Sequence, residues 1–276
     1  MIRAGFIISL LISLSACLPE PLEVDNVPIP ERTIVIGSQD IPGEFLAVSV
    51  SRNFTALDGG PQSDFDSLVQ DLLIDSLNLF IDVQGVRYSL DFSPVRGLYL
   101  GSDVPEIPGE IYTLSTNNPF NDALTSASTE LMPFIGFDSL RLTIEETPFD
   151  TLMHIDLRIG DPPGPNWYMI NVQTFNDEYS LEDRPFTELI SDEDFDGQLY
   201  DYGFKVFFND YGKGDTVLVS MANIEKEYYD FLQLRFDQRY LLLDGLGEPI
   251  TYPTNVLNGL GYFHLHIPDV RLITPD

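Results

Sequence analysis

Beyond Thr33 the chain consists mostly of short runs in which apolar and polar residues alternate. Thr33–Ile36 is rich in β-branched residues and stops at Gly37, and Glu44–Val50 puts Leu46, Val48 and Val50 on one face. Leu77–Val83 does the same with Leu77, Leu79, Ile81 and Val83, before Gln84-Gly85 turns it into Val86–Phe92. A period of two sends alternate side chains to opposite faces of a strand, and a two-residue connection closes a hairpin. Gly97–Tyr99 and Gly109–Leu114 supply further strands, while 58–66 reads as a loop and the polar stretch 117–128 as the end of this series. A second series follows at Ser139–Ile144, Met153–Ile159, Asn166–Val172, Gln198–Phe208 and Thr216–Ser220. Short strands at this spacing, punctuated by Gly, Pro and Asn, are the mark of β-sandwiches. The expectation is a mainly all-β protein of two sandwiches, residues 33–134 and 135–276.

The period changes once. Ile224, Tyr228, Phe231 and Leu232 fall at i, i+4, i+7 and i+8, which predicts a helix near 223–236 in the second sandwich. Asn223 is placed to cap it, and Glu225 and Glu227 sit where the helix dipole favours negative charge.

The start of the chain follows a different rule. Met1-Ile-Arg3 carries one positive charge, Ala4–Leu14 is apolar, and Leu14-Ser-Ala-Cys17 brings small residues to a cysteine. A span across a bilayer takes about twenty apolar residues, so this shorter core reads as a signal peptide, residues 1–16. The cysteine directly after it matches a bacterial lipobox, which makes Cys17 the lipid anchor and the first residue of the mature chain. Residues 17–32 then form a lipidated N-terminus and proline-rich tether, with four prolines between Leu18 and Arg32.

Composition narrows the function classes. Fourteen Lys plus Arg against forty-four Asp plus Glu give a formal charge of −30. Such a surface repels phosphate backbones and anionic headgroups, so nucleic acid is not expected as a partner and membrane attachment falls to acyl chains. Cys17 is the single cysteine, which rules out an internal disulfide, thiol catalysis and cysteine-based metal sites in the folded body.

Five landmarks recur in a recognisable order. They are Pro108–Leu114, Asp161-Pro-Pro-Gly-Pro-Asn-Trp-Tyr168, Asp194-Phe-Asp-Gly-Gln198, Gly214–Val217 ahead of Tyr228–Phe231, and Thr254–Phe263. Together they resemble a family of bacterial lipoproteins catalogued as domain of unknown function 4249. The resemblance implies immunoglobulin- or transthyretin-like sandwiches on an outer-membrane lipoprotein, at the cell surface or the periplasmic face. It also implies an accessory or substrate-binding role beside a TonB-dependent transporter, with the ligand unnamed. The family's usual small residue after Gly-Tyr-Phe is His264 here, so no role for it carries over.

Candidate chemistry is sparse. Asp192, Asp194 and Asp196 alternate ahead of Gly197 and Gln198, like the first half of a calcium loop. The twelfth position from Asp192 is Gly203, so the bidentate glutamate of an EF-hand is missing, and a looser calcium site would be completed by Gln198 or Asp201. The competing reading is an Asx-turn closing a hairpin. His264 and His266 share a strand face but lack an identifiable third ligand, which favours packing. Tyr200, Tyr202, Phe204 and Phe208 form a stripe that suits a core, as does Trp167. No Gly-x-Ser-x-Gly or His-Glu-x-x-His stands in the sequence, so an enzyme is not expected. The alternative function is an independent cell-surface binding or adhesion module that takes up calcium.

Overall fold

The alternating runs become strands close to where the pattern writes them. The computed structural model describes residues 31–39, 45–54, 65–147, 151–175, 186–208, 216–239 and 252–274. Signal peptide, Cys17, nearly all of the tether and the 213–215 turn lie outside them, as does most of the 58–66 loop. What is described is mostly β. Among these residues no helix is long and apolar enough to cross a membrane.

The first series builds one nine-stranded sheet. In chain order its strands are β1 (Ile34–Ser38), β2 (Ala47–Arg52), β3 (Leu79–Val83), β4 (Val86–Ser93), β5 (Leu98–Leu100), β6 (Ile111–Asn117) and β7 (Leu124–Glu130). Across the sheet the order is β14-β7-β6-β3-β4-β5-β2-β1-β15, where β14 (Val256–Leu257) and β15 (Leu260–Tyr262) come from the far end of the chain. Gln84 and Gly85 both take positive φ, 49° and 77°, as a two-residue hairpin turn requires. The core draws Ile36, Val50, Ile81, Leu114, Ala127 and Phe263 into one cluster, so the sheet curls around its own apolar face.

The second series builds two sheets. β8 (Phe137–Glu146), β9 (Thr151–Gly160) and β12 (Leu199–Phe208) form one, in the order β12-β9-β8. β10 (Trp167–Phe175), β11 (Phe186–Ser191), β13 (Thr216–Ile224) and β16 (Asp269–Ile273) form the other, in the order β11-β10-β13-β16. Tyr168, Ile170 and Val172 point from β10 into the core between them, while Met169 points outward to helix α2 (Lys226–Arg239).

Four expectations change. The boundary at 134/135 does not hold for the tail, because β14 pairs with β7 and β15 runs parallel to β1. The polar stretch 117–128 carries one more strand before the series ends, since Leu124–Glu130 pairs along the whole of β6 and hides Thr125, Ala127 and Thr129. Phe65–Leu72 is a short helix, α1, where a loop was expected to run on to residue 66. Asn223 does not cap α2. It completes β13, buried, and its amide donates to Pro133 O and to Asn166 Oδ1. The helix starts later, with the Tyr229 N–H reaching the Glu225 carbonyl at 3.0 Å.

Candidate functional site

Two of the landmarks meet at one end of the second sandwich. The turn between β9 and β10, Asp161–Asn166, lies against the loop between β11 and β12, Asp192–Gln198, and the two are knitted by main-chain and side-chain hydrogen bonds. Asp161 N–H donates to Gln198 O at 3.0 Å, and Asp192 N–H donates to Asn166 O at 3.2 Å. In return Asp192 Oδ2 accepts the Asn166 N–H at 2.7 Å, and Asp196 Oδ1 accepts the Gly164 N–H at 2.8 Å. Asp161 accepts from the Tyr168 hydroxyl on one oxygen and from Gly197 N–H, 2.7 Å, on the other. Gly197 supplies the φ of +70° that aims this N–H, a backbone state that favours glycine.

Asn166 is the hub. Its Nδ2 donates to the carbonyls of Gly164, 2.7 Å, and Pro162, 3.1 Å, and its Oδ1 accepts from Asn223 at 3.2 Å. A loop built around prolines cannot satisfy its carbonyls through a ladder, and one buried amide does so here.

The carboxylates of Asp161, Asp192 and Asp196 each offer an oxygen within 4.8 Å of the others, with the first two buried. Burial pushes the Asp192 carboxyl above its usual range, and the charges of Asp161 and Asp196 push the same way against the Asn166 N–H. The Tyr168 phenol is raised for the same reasons, burial first and then its bond to Asp161.

Asp194 is not part of this group. Phe195 N–H reaches Asp192 O and Gln198 N–H reaches Phe195 O, so the loop runs as successive turns rather than as a strand. Turns bring residues four apart to one side, which joins Asp192 to Asp196 and leaves Asp194 exposed. Gln198 contributes its main-chain carbonyl, and that carbonyl is already bonded to Asp161. Asp161 was missed because its partners lie thirty residues on; the signal for it was the Asp-Pro-Pro-Gly-Pro turn itself. Asp201 sits elsewhere, in a paired contact with Arg158 at 2.7 and 2.9 Å.

Phe195 explains why the loop holds its place. It is 5% exposed, and its ring lies parallel to Tyr200 at 3.8 Å and near Tyr168 at 6.4 Å. From there Tyr200, Tyr202, Phe204 and Phe186 continue as a column with ring centroids 5.8–5.9 Å apart. The stripe packs on the core, half-buried, and Tyr202 donates to Glu188 at 2.5 Å. The side chain of Phe208 lies outside the described residues. Trp167 packs beside α2, and His154 pairs with Glu145 at 2.9 Å. An open groove of about 360 Å³ runs between β11 and α2, lined by Phe186, Glu188, Leu189, Gln233 and Phe236 among others.

Comparison with curated proteins finds no match. Among solved structures, the chicken interferon gamma receptor alpha chain aligns over 71% of this chain and 89% of its own. The identity is 10% and the TM-score 0.17, too low to carry an argument. A family model does match, over residues 20–266, and the interlocked loops fall inside that span. The chain belongs to the family described as Domain of unknown function (DUF4249).

Proposed function

We propose that this member of the family is a lipid-anchored protein of the bacterial outer membrane that works as an accessory or substrate-binding partner of a TonB-dependent transporter. The observation that carries the reading is the Leu14-Ser-Ala-Cys17 sequence, three residues ahead of the family match at residue 20. A folded body that begins at Arg32 leaves fourteen residues after Cys17, enough for a spacer of some 45–50 Å when extended. Rigid sandwiches with loops clipped at one end suit binding and assembly, and the groove beside α2 is the place where a ligand of modest size would fit.

Two measurements test the reading. Cys17→Ser should abolish acylation detected by mass spectrometry and release the chain from the membrane fraction. Persistent membrane association of that variant would remove the anchor from the proposal. Purification of the lipidated protein from native membranes should carry a transporter with it; recovery without one rejects the partnership and leaves the anchor standing.

A second reading is an independent surface-binding module that takes up calcium. Its support is the 4.8 Å approach of Asp161, Asp192 and Asp196, where a divalent cation would offset the mutual repulsion. Against it, four of the six oxygens already accept hydrogen bonds. Calorimetry with calcium on the wild type and on Asp196→Asn decides. Heat lost in the variant favours calcium, and equal flat titrations exclude it.

A further inference from the structure

The tail crosses from the first sandwich to the second through Phe263–Pro268, between β15 and β16. His264 lies in this crossing and is 1% exposed. Its ring stacks on Tyr228 of α2 at 3.8 Å and 16°, and His266 stacks on it at 5.2 Å and 14°. The main-chain N–H of His264 donates to Ser38 Oγ at 2.8 Å, which ties the crossing to the end of β1. Neither ring nitrogen of His264 has a hydrogen-bond partner among the described residues.

That arrangement suits one protonation state. A neutral imidazole stacked on these rings forgoes only its hydrogen bonds to water, a modest cost. An imidazolium there would bury a charge and two N–H donors with no acceptor for either, which costs far more. Burial, and after it the neighbouring His266, holds the His264 ring well below the ordinary histidine range. The groups that face it are Tyr228 from α2, His266 from its own segment, and the Ser38 hydroxyl at its main chain. The carboxylates of Glu225, Glu227 and Asp230 act instead on Tyr262, whose phenol burial and these charges raise to about 12.

We propose that His264 is an acid-sensitive latch: taking up a proton on its ring opens the crossing segment from α2 and loosens the tie between the two sandwiches. Above about pH 6.5 the ring is neutral in both the closed and the open state, and the latch holds. As pH falls below that value the open state binds a proton that the closed state refuses. The closing equilibrium then weakens by about tenfold per pH unit for one proton. Glu225 and Asp192 have raised carboxyl pKa values, so their protonation favours the folded form as pH falls and works against the latch.

The test is amide hydrogen exchange on the intact lipidated protein in detergent, corrected for the intrinsic pH dependence of exchange. Protection of peptides spanning 260–268 and α2 should drop about tenfold per pH unit below about 6.5, while β9 and β10 stay protected. His264→Phe keeps the stack, removes the proton site and should flatten that slope; Glu225 and Asp192 are present in both proteins and cancel. Equal slopes in the two proteins, or no slope in the wild type, overturn the proposal. Should the variant fail to fold, imidazole NMR of the wild type decides. A His264 ring that titrates near 6.5 while the crossing stays protected is equally fatal, and loss of protection in step with its protonation upholds the latch.

Discussion

The two sandwiches close by different means. The first is one curled sheet whose two ends are joined by a hairpin of backbone, β14 and β15. Asn255 and Asn258 fasten it with neutral amide bonds: Asn255 Oδ1 accepts from Phe263 N–H at 2.9 Å, and Asn258 Nδ2 donates to Leu124 O at 2.8 Å. The second consists of two separate sheets pinned at one end by charged groups, three aspartates and the amide of Asn166. The difference separates steric closure from electrostatic closure within a single chain. A clasp of backbone and amides has no titratable group among its own bonds and is intolerant of bulk, whereas a clip of carboxylates has room for side chains but depends on every donor being present.

The sharpest way to break that contrast uses two glycines that both hold positive φ. Gly261 sits at +99°, and a Cβ there would lie 1.9 Å from the Ile36 carbonyl oxygen. Gly164 sits at +110°, and a Cβ there would meet nothing within 4 Å. Gly261→Ala should cost more than about 4 kcal/mol by forcing β15 off β1. Gly164→Ala should cost only the backbone strain, about 1–3 kcal/mol. Thermal unfolding of both variants checks this, and equal losses would mean that strain rather than contact governs the first seam.

Next in size is the hub of the clip. Asn166→Ala strands the carbonyls of Pro162 and Gly164, leaves the Asn223 amide only the Pro133 carbonyl, and removes a weak contact at 3.4 Å to Asp192. Losing several buried bonds at once should cost about 3 kcal/mol in urea unfolding. A loss below about 1 kcal/mol would show that the main-chain bonds between the two loops suffice without the amide.

Most of the fold was legible because strand periodicity is local. Leu79, Ile81 and Val83 announce β3 within five residues, and the Gln84-Gly85 turn fixes the partner and register of β4. The tail was misassigned for the opposite reason. Val256 and Leu260 pair with strands more than a hundred residues away, and no period in the sequence specifies a partner at that distance. The acidic loop was half legible: Asp192 and Asp196 were named, but alternation was assumed where Phe195 imposes turns. Phe195 was the available signal, an aromatic among acids that had to be buried. Asn223 was misread because a residue suited to capping also serves as a buried amide donor, and only the neighbouring Pro133 and Asn166 decide which.

The finest test compares two buried phenols that do the same job with different acceptors. Tyr112 of β6 donates to the Pro105 carbonyl at 2.6 Å and accepts from Ile107 N–H at 2.8 Å, tying a loop to the first sandwich. Tyr168 of β10 donates to the Asp161 carboxylate in the clip. Both rings are fully buried, so Tyr→Phe keeps the packing and removes one hydroxyl in each case. Tyr112→Phe should cost about 2 kcal/mol, the net worth of two neutral bonds at about 1 kcal/mol each. Tyr168→Phe should cost about as much, roughly 2 kcal/mol, from a single bond, because a bond to a carboxylate is worth more than a neutral one. If the carboxylates do govern the second closure, the Tyr168→Phe penalty shrinks in acid, while that of Tyr112→Phe stays constant. Parallel pH profiles of the two penalties would show that the clip holds by shape alone.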